Sequence, residues 1–156
     1  MGKNIALVTL KPVCDPSSND SSNVTDLVID TGLTAANAPY RKGCCYDDSL
    51  RNFLLLGDKF EAVLVHGYPH LKGNGNCAGK KFGHAWVEIF AHNLWFVVDS
   101  KSHTKTVPSF IYYSVGKIDP EECQRHDFFE VMLNVDEFGI SGPWKNVPAE
   151  ALFSGE

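Results

Sequence analysis

The spacing of apolar and polar residues predicts one long helix and one hairpin in the middle of the chain. Apolar residues recur at helical intervals from Cys45 to Leu56, and Gly57 follows as a residue type that commonly ends helices. Two strand-like runs, at residues 82–90 and 94–100, are separated by a three-residue loop centred on His92. We therefore expect a helix and an antiparallel strand pair at the centre of the fold.

Weaker patterns predict further elements on both sides of this centre. The predicted strands cover residues 4–11, 25–30, 60–67 and 110–118. A second helix is predicted over residues 120–133, with Asp119 as its N-cap, Pro120 at its first position and acidic residues in its first turn. Residues 14–24 and 68–81 are expected to be exposed loops, and the GISGPW stretch is expected to be packed but irregular.

The strand alternation in the hairpin brings two polar residues towards each other. Alternation places His84, Trp86 and Glu88 on one face of their strand and the residues between them on the other. With a three-residue loop, residue 84 pairs with residue 99 or 100, so His84 and Asp99 are expected to be cross-strand neighbours. We interpret Trp86 as core packing and Glu88 as a solvent-side residue.

Cys45 opens the predicted helix, where a thiol can be activated for chemistry. A cysteine attacks as the thiolate, which a helix N-terminus and a neighbouring imidazolium both favour. A carboxylate on the far ring nitrogen of the histidine fixes its orientation. The sequence therefore predicts a catalytic triad of Cys45, His84 and Asp99, although a helix-opening cysteine is by itself more often a small core residue.

Composition limits the other classes of function. The 156 residues, 44% of them hydrophobic, suffice for one core, so we expect a single α+β domain over residues 1–156. The formal net charge is −5 and no apolar run approaches ~20 residues, so neither nucleic acid nor a membrane is an expected partner. The first residues lack a signal-peptide pattern and the five cysteines are an odd number, which favours a cytoplasmic protein with reduced thiols.

The residues around this triad resemble the transglutaminase-like branch of the papain-like cysteine enzymes. In that branch a cysteine followed by an aromatic residue opens a helix, a strand carries His-Ala-Trp-x-Glu, and a further strand ends in Asp. The matching residues are Cys45-Tyr46, His84-Ala85-Trp86-Val87-Glu88, and Trp95 with Val97, Val98 and Asp99. The later IYYSVGKIDPEE and GISGPW stretches look like those of small bacterial and phage proteins with the same triad pattern.

The resemblance covers residues 45 to about 100 and has two departures. Ser100 follows Asp99 where the family commonly has Pro, and Cys44 directly precedes Cys45 as a rival nucleophile. The aromatic Tyr46 after Cys45 favours Cys45.

The resemblance implies a papain-like core, with the nucleophile helix packed on a small antiparallel sheet, and acyl transfer on a protein or peptide substrate. If water is the final acceptor, the protein is a protease or amidase. If the substrate is a glutamine side chain, it is a deamidase, and if an amine is the acceptor, it is a transglutaminase. The oxyanion would be held by the Cys45 backbone N–H and by a second donor, for which Asn37, Tyr40 and Arg41 are candidates. Specificity would come from the loops at residues 14–24 and 68–81 and from the irregular stretch before Cys45.

Two other classes of function stay open at this stage. A metal site could use scattered ligands, namely Cys123, His126, His66, His70, Cys77 and His84, but no Cys or His doublet repeats as in structural zinc sites, so no metal or cofactor is expected. A binding module could keep the same fold without turnover, although all three triad residues are retained.

Overall fold

The computed structural model describes residues 29–102 and 105–145 of the chain. The predicted strand at residues 4–11, the loop at residues 14–24 and most of the strand at residues 25–30 lie outside these ranges. Within them, none of the helices has the length and apolar character that crossing a membrane requires.

The described residues form an α+β fold, as the sequence predicts. Its helices are α1 (Cys45–Leu56), α2 (Ser109–Gly116) and α3 (Phe128–Phe138). Its strands are β1 (Glu61–Gly67), β2 (His84–Ala91), β3 (Leu94–Val98), β4 (Val107–Pro108) and β5 (Gln124–His126). The strands form one antiparallel sheet in the order β4-β3-β2-β1-β5, with short 3₁₀ turns at Ser100–Ser102 and Pro120–Glu122.

Helix α1 packs on one face of this sheet and closes the larger of two apolar clusters. Its bounds are those that the spacing predicts, and it buries Phe53 and Leu56. These side chains pack with apolar residues from three strands, namely Leu64, Val87, Ile89, Phe96 and Val98. Burial of apolar side chains is the main stabilising contribution in a small domain. Helix α1 is therefore packed against β2.

The second cluster lies on the opposite face of the sheet, beneath helix α2. It contains Val65, Trp86 and Val97, and it is covered by Tyr112 and Tyr113 of α2. Both faces of β2 are thus buried, and the predicted alternation along it is confirmed.

The β2–β3 hairpin is confirmed, with a loop one residue shorter than expected. Ala91 pairs with Leu94, so the turn consists of His92 and Asn93, whose φ angles are 51° and 60°. Two successive positive φ angles are typical of a type I′ turn, whose twist matches that of the flanking strands. Because Val87 pairs with Val98, this register would place residue 101 opposite residue 84. Asp99 is therefore two positions nearer the turn than the residue directly opposite His84.

The strand predicted at residues 110–118 is wrong, because Ser109–Gly116 is the helix α2. Adjacent tyrosines explain the difference. Tyr112 and Tyr113 both reach the same face of the sheet, whereas neighbouring residues of a strand point to opposite faces. On a helix they are about 100° apart, so both can pack downwards and tertiary contacts override the β-favouring composition.

The helix predicted over residues 120–133 is correct at its start and wrong in its extent. Asp119 caps a 3₁₀ turn as expected, since its side chain accepts a hydrogen bond from the Glu121 N–H, but the turn ends at Glu122. The chain then forms β5, and α3 begins at Phe128. Asp127 and Glu130 form a reciprocal capping box there, which is the stronger start signal. The tail through Trp144 is irregular and packs that side chain into the core, as predicted.

Candidate active site

Cys45 is the first residue of α1, and its thiol is close enough to the His84 ring to help raise the pKa of His84. The first N–H groups of a helix have no acceptor within the helix, so the backbone around Cys45 is able to bind an anion. Cys44 is the N-cap residue and does not border the cavity that Cys45 borders. Of the two adjacent cysteines, Cys45 is the one beside the histidine.

His84 joins Cys45 to Asp99, so the three predicted residues are together. The His84 Nε2 atom lies 2.9 Å from Asp99 Oδ2. That oxygen also accepts a hydrogen bond of 2.7 Å from the Tyr112 hydroxyl, and Asp99 Oδ1 accepts one of 3.2 Å from the Lys101 N–H. Since Asp99 occupies Nε2, the Nδ1 atom is the one that remains for the thiol.

The contacts within this group change the protonation of its members. Burial lowers the pKa of His84, but the hydrogen bonds and charges of Asp99 and Cys45 outweigh burial and raise that pKa to about 9. Burial raises the pKa of Asp99, but the hydrogen bonds from His84 and Tyr112 outweigh it and lower that pKa to about 2. At neutral pH the site therefore holds an imidazolium beside an ionised carboxylate.

A buried hydrogen bond holds the nucleophile helix against the histidine strand. The Ser49 hydroxyl donates to the Ala85 carbonyl oxygen over 2.8 Å, and both residues are fully buried. Ser49 is one helical turn after Cys45 and on the same face, while Ala85 directly follows His84. The bond fixes the distance between the two elements that carry the reacting side chains.

The stretch before Cys45 is held by Asp48, whose side chain is fully buried. Its carboxylate accepts hydrogen bonds of 2.8 Å from the Arg41 backbone N–H and from Arg41 Nε, and one of 3.2 Å from Arg51 Nη1. The Arg41 side chain is therefore committed to Asp48. Asn37 is also committed, because its amide bonds backbone groups of its own loop at Gly32 and Thr34.

Of the three residues considered as second oxyanion donors, Tyr40 and Arg41 border the cavity and Asn37 does not. Because the Arg41 guanidinium is bonded to Asp48, Tyr40 is the candidate whose polar group is least engaged by its surroundings.

Glu88 is buried, which corrects its interpretation as a solvent-side residue. Its side chain accepts hydrogen bonds from Tyr113 Oη (2.6 Å), Arg125 Nη1 (2.6 Å) and Trp86 Nε1 (3.1 Å). The sequence interpretation failed because α2 covers this face of the sheet and Arg125 of β5 reaches Glu88 along it. Trp86 is fully buried, as expected, and neither Trp86 nor Trp95 borders the cavity.

All three triad residues border one cavity of about 970 Å³. Its walls come from residues 40–43 before α1, residues 69–72 of the long loop, and one side of α2. The stretch before α1 and the long loop are two of the three segments expected to determine specificity. The α2 wall, which includes Ile111, Tyr112 and Val115, was missed because this segment was assigned as a strand.

The other cysteines and histidines do not form a metal centre in the described ranges. No group of three or more His, Cys, Asp or Glu side chains lies close enough there to hold a metal ion. The four cysteines of these ranges, Cys44, Cys45, Cys77 and Cys123, are free. Cys14 lies outside them.

His66 and His126 form an aromatic cluster behind Cys45. The His66 ring, 2% exposed, contacts the rings of Tyr46, His126 and Trp144 at centroid distances of 5.0, 5.2 and 4.9 Å. Neither ring nitrogen has a hydrogen-bond partner among the described residues. Burial, with a smaller contribution from His126, lowers the pKa of His66 to about 3, so the ring is neutral.

Comparisons of the chain with models of protein families, with curated proteins and with solved structures found no match in any of the three. The function must therefore be argued from the site itself.

Proposed function

We propose that the protein is a cysteine-dependent acyl-transfer enzyme of the papain-like, transglutaminase-like type, with Cys45, His84 and Asp99 as its triad. The observation that carries the proposal is the continuous chain of contacts from the Cys45 thiol through His84 to Asp99, at the wall of an accessible cavity. Taken singly, each residue has an ordinary structural explanation. The joint geometry is what an activated thiol requires.

In the proposed reaction, Cys45 Sγ attacks the carbonyl carbon of an ester, peptide or carboxamide group. The resulting oxyanion is stabilised by the backbone N–H groups at the start of α1. His84 then gives its Nδ1 proton to the leaving group, which departs as an alcohol from an ester or as an amine or ammonia from an amide, and a thioester remains on Cys45. Water or an amine attacks the thioester, His84 takes the proton from that nucleophile, and the Cys45 thiolate departs.

Asp99 and its partners hold the histidine in the orientation that this reaction needs. The carboxylate fixes the ring through Nε2, which directs Nδ1 towards the thiol. Tyr112 and the Lys101 N–H fix the carboxylate in turn. The proton therefore moves between His84 and the reacting groups while Asp99 stays ionised.

Alkylation with iodoacetamide at pH 7, measured by mass spectrometry for each cysteine, tests the proposal. We expect Cys45 to react at least about tenfold faster than the exposed Cys77. His84→Ala should reduce the Cys45 rate to that of Cys77, whereas Cys77→Ser should leave it unchanged. A folded His84→Ala variant that alkylates Cys45 as fast as the wild type would refute the triad.

The final acceptor can be identified with a blocked peptide that contains one glutamine, incubated with and without a primary amine. Cleavage of a peptide bond indicates a protease, loss of the side-chain amide indicates a deamidase, and an amine adduct indicates a transglutaminase. Cys45→Ala supplies the blank for each product. Rapid alkylation of Cys45 by iodoacetamide with none of these products would favour hydrolysis of a different acyl bond.

A further inference from the structure

Three lysines border the cavity around Cys45 and come from three different segments. Lys42 precedes α1, Lys72 lies in the long loop, and Lys101 follows Asp99. All three are exposed, and Lys101 Nζ lies 5.9 Å from the centroid of the Tyr40 ring. A positive lining is notable here because the whole chain has a net charge of −5.

The cavity contains no acidic group that could neutralise these lysines. Asp99 is the one carboxylate among the lining residues, and both of its oxygens are already bonded to His84, Tyr112 and the Lys101 N–H. The other two cations of the lining are already paired, Arg41 with Asp48 and the His84 imidazolium with Asp99. In the described part of the chain, none of the three lysines forms an ion pair.

The α2 wall of the cavity, in contrast to the lysine-bearing segments, is apolar. Ile111 and Val115 are four residues apart on α2, so they share one face of the helix. Val115 is 55% exposed, and α2 has no fully buried residue. Leu71 and Phe82 extend the apolar surface from the long loop. A volume of about 970 Å³ is at the upper end of the range for ligand pockets, about 300–1,000 Å³.

We infer that the substrate is a peptide segment in which acidic residues lie next to a large apolar residue. This inference rests on the proposed acyl-transfer function and names its substrate class. The apolar side chain packs on Ile111 and Val115, and the carboxylates face Lys42, Lys72 and Lys101. Uncompensated positive charge at a cleft attracts anionic ligands and disfavours cationic ones. The same charges would reject a lysine-rich segment of equal size.

Binding to the full chain carrying Cys45→Ala tests this inference without any turnover. Calorimetry would compare acetyl-Glu-Glu-Phe-Gln-Gly-amide with a Lys-Lys-Phe analogue and with a Glu-Glu-Ser analogue. We expect the acidic, phenylalanine-containing peptide to bind at least about tenfold more tightly than either analogue. The preference for acid should weaken with added salt, because exposed charges are screened.

Matched variants assign the preference to the cavity. Replacing Lys42, Lys72 and Lys101 together by Gln should abolish discrimination between the acidic and lysine peptides. Replacing three exposed lysines outside the lining, Lys59, Lys105 and Lys145, changes the net charge equally and should preserve it. Val115→Thr keeps the side-chain shape and should weaken binding of the phenylalanine peptide but not of the serine peptide.

The outcomes separate this inference from the proposed function. Equal binding of the acidic and lysine peptides overturns the inference, as does a preference for acid that survives loss of the three cavity lysines. Neither result affects the alkylation test of Cys45. If the preference holds while Cys45 in the wild type reacts no faster than Cys77, the triad fails and the cavity is a binding site for acidic segments.

Discussion

The Ser49 hydroxyl donates a 2.8 Å hydrogen bond to the Ala85 carbonyl oxygen, and this bond connects the helix that begins at Cys45 with the strand that begins at His84. Neither residue takes part in the proposed chemistry. Ser49 lies one helical turn after Cys45 in α1, and Ala85 directly follows His84 in β2. The alignment of thiol and imidazole thus depends on a contact in the core.

Ser49→Ala removes this bond and leaves the Ala85 carbonyl without its side-chain partner. We expect the free energy of unfolding to fall by about 1–3 kcal/mol, the cost of leaving a buried polar group unpaired, in denaturant titrations. Cys45 alkylation should also slow, because α1 can shift relative to β2. Ser114→Ala, an exposed serine-to-alanine change in α2, should alter stability by less than about 0.5 kcal/mol. Equal effects of the two changes would contradict this role of Ser49.

The titration of His84 reports its contacts directly. In the folded protein we expect its NMR signals to titrate with a pKa of about 9, and this pKa should fall in Cys45→Ala and in Asp99→Asn because each loses a partner that favours the charged ring. Cys77→Ala is the control and should leave the titration unchanged.

The raised pKa of His84 also has a consequence for stability. Because the folded pKa of about 9 exceeds the reference value of 6.5, the protonated ring stabilises the fold fully below pH 6.5, and this contribution is lost as the pH rises through about 9. Urea unfolding between pH 6 and 10 measures it. If the stability of Asp99→Asn declined by the same amount over this pH range, the His84–Asp99 pair would not be the source of the pH dependence.

Tyr112 and Tyr113 provide a matched pair of variants, because these adjacent residues donate hydrogen bonds to different carboxylates. Tyr112 bonds Asp99 at 2.7 Å, and Tyr113 bonds Glu88 at 2.6 Å. Both phenylalanine variants should be less stable by about 1.5–3 kcal/mol, the value of a hydrogen bond to a charged group. Only Tyr112→Phe should slow Cys45 alkylation, by up to about tenfold, because Asp99 then loses one of the hydrogen bonds that fix it. Slowing of equal size in Tyr113→Phe would argue against a positioning role for Tyr112.

His66 should make the fold sensitive to acid. Its pKa of about 3 is below the reference value of 6.5, so the unfolded chain binds an extra proton between these values, and stability falls as the pH decreases through that window. The slope contributed by one such group is up to about 1.4 kcal/mol per pH unit. His66→Phe should flatten it, whereas His92→Asn, in the exposed turn, should not. An unchanged slope in His66→Phe would assign the acid sensitivity to other groups.

The centre of the fold could be predicted from the sequence because its signals are local and strong. Helical spacing and Gly57 mark α1, and alternation marks β2 and β3. The hairpin argument also led to the contact between His84 and Asp99, although the turn is shorter and the register differs from the one assumed. A flexible side chain can bridge a small offset along paired strands, so the contact survived the error.

The strand predicted at residues 60–67 is confirmed as β1, whereas the predictions at residues 110–118 and 120–133 failed because tertiary contacts decide the conformation there. The composition of α2 favours a strand, but its two tyrosines both bond to carboxylates beneath it. A helix-start signal at Asp119 is followed within eight residues by the better one at Asp127, and a strand fits between them because β1 offers it an unpaired edge. The cavity wall on α2 could not be foreseen without these assignments.

The bonds between Arg41 and Asp48 bear on how a ligand would enter the cavity. Moving the segment that contains Arg41 away from α1 breaks two hydrogen bonds of 2.8 Å to the fully buried carboxylate of Asp48. A buried carboxylate that loses its partners is strongly disfavoured, so the displaced arrangement is rarely populated. This wall is therefore preorganised, and a bound substrate loses little affinity to reshaping it. On this side of the cavity the ligand, and not the protein, would therefore change its conformation on binding.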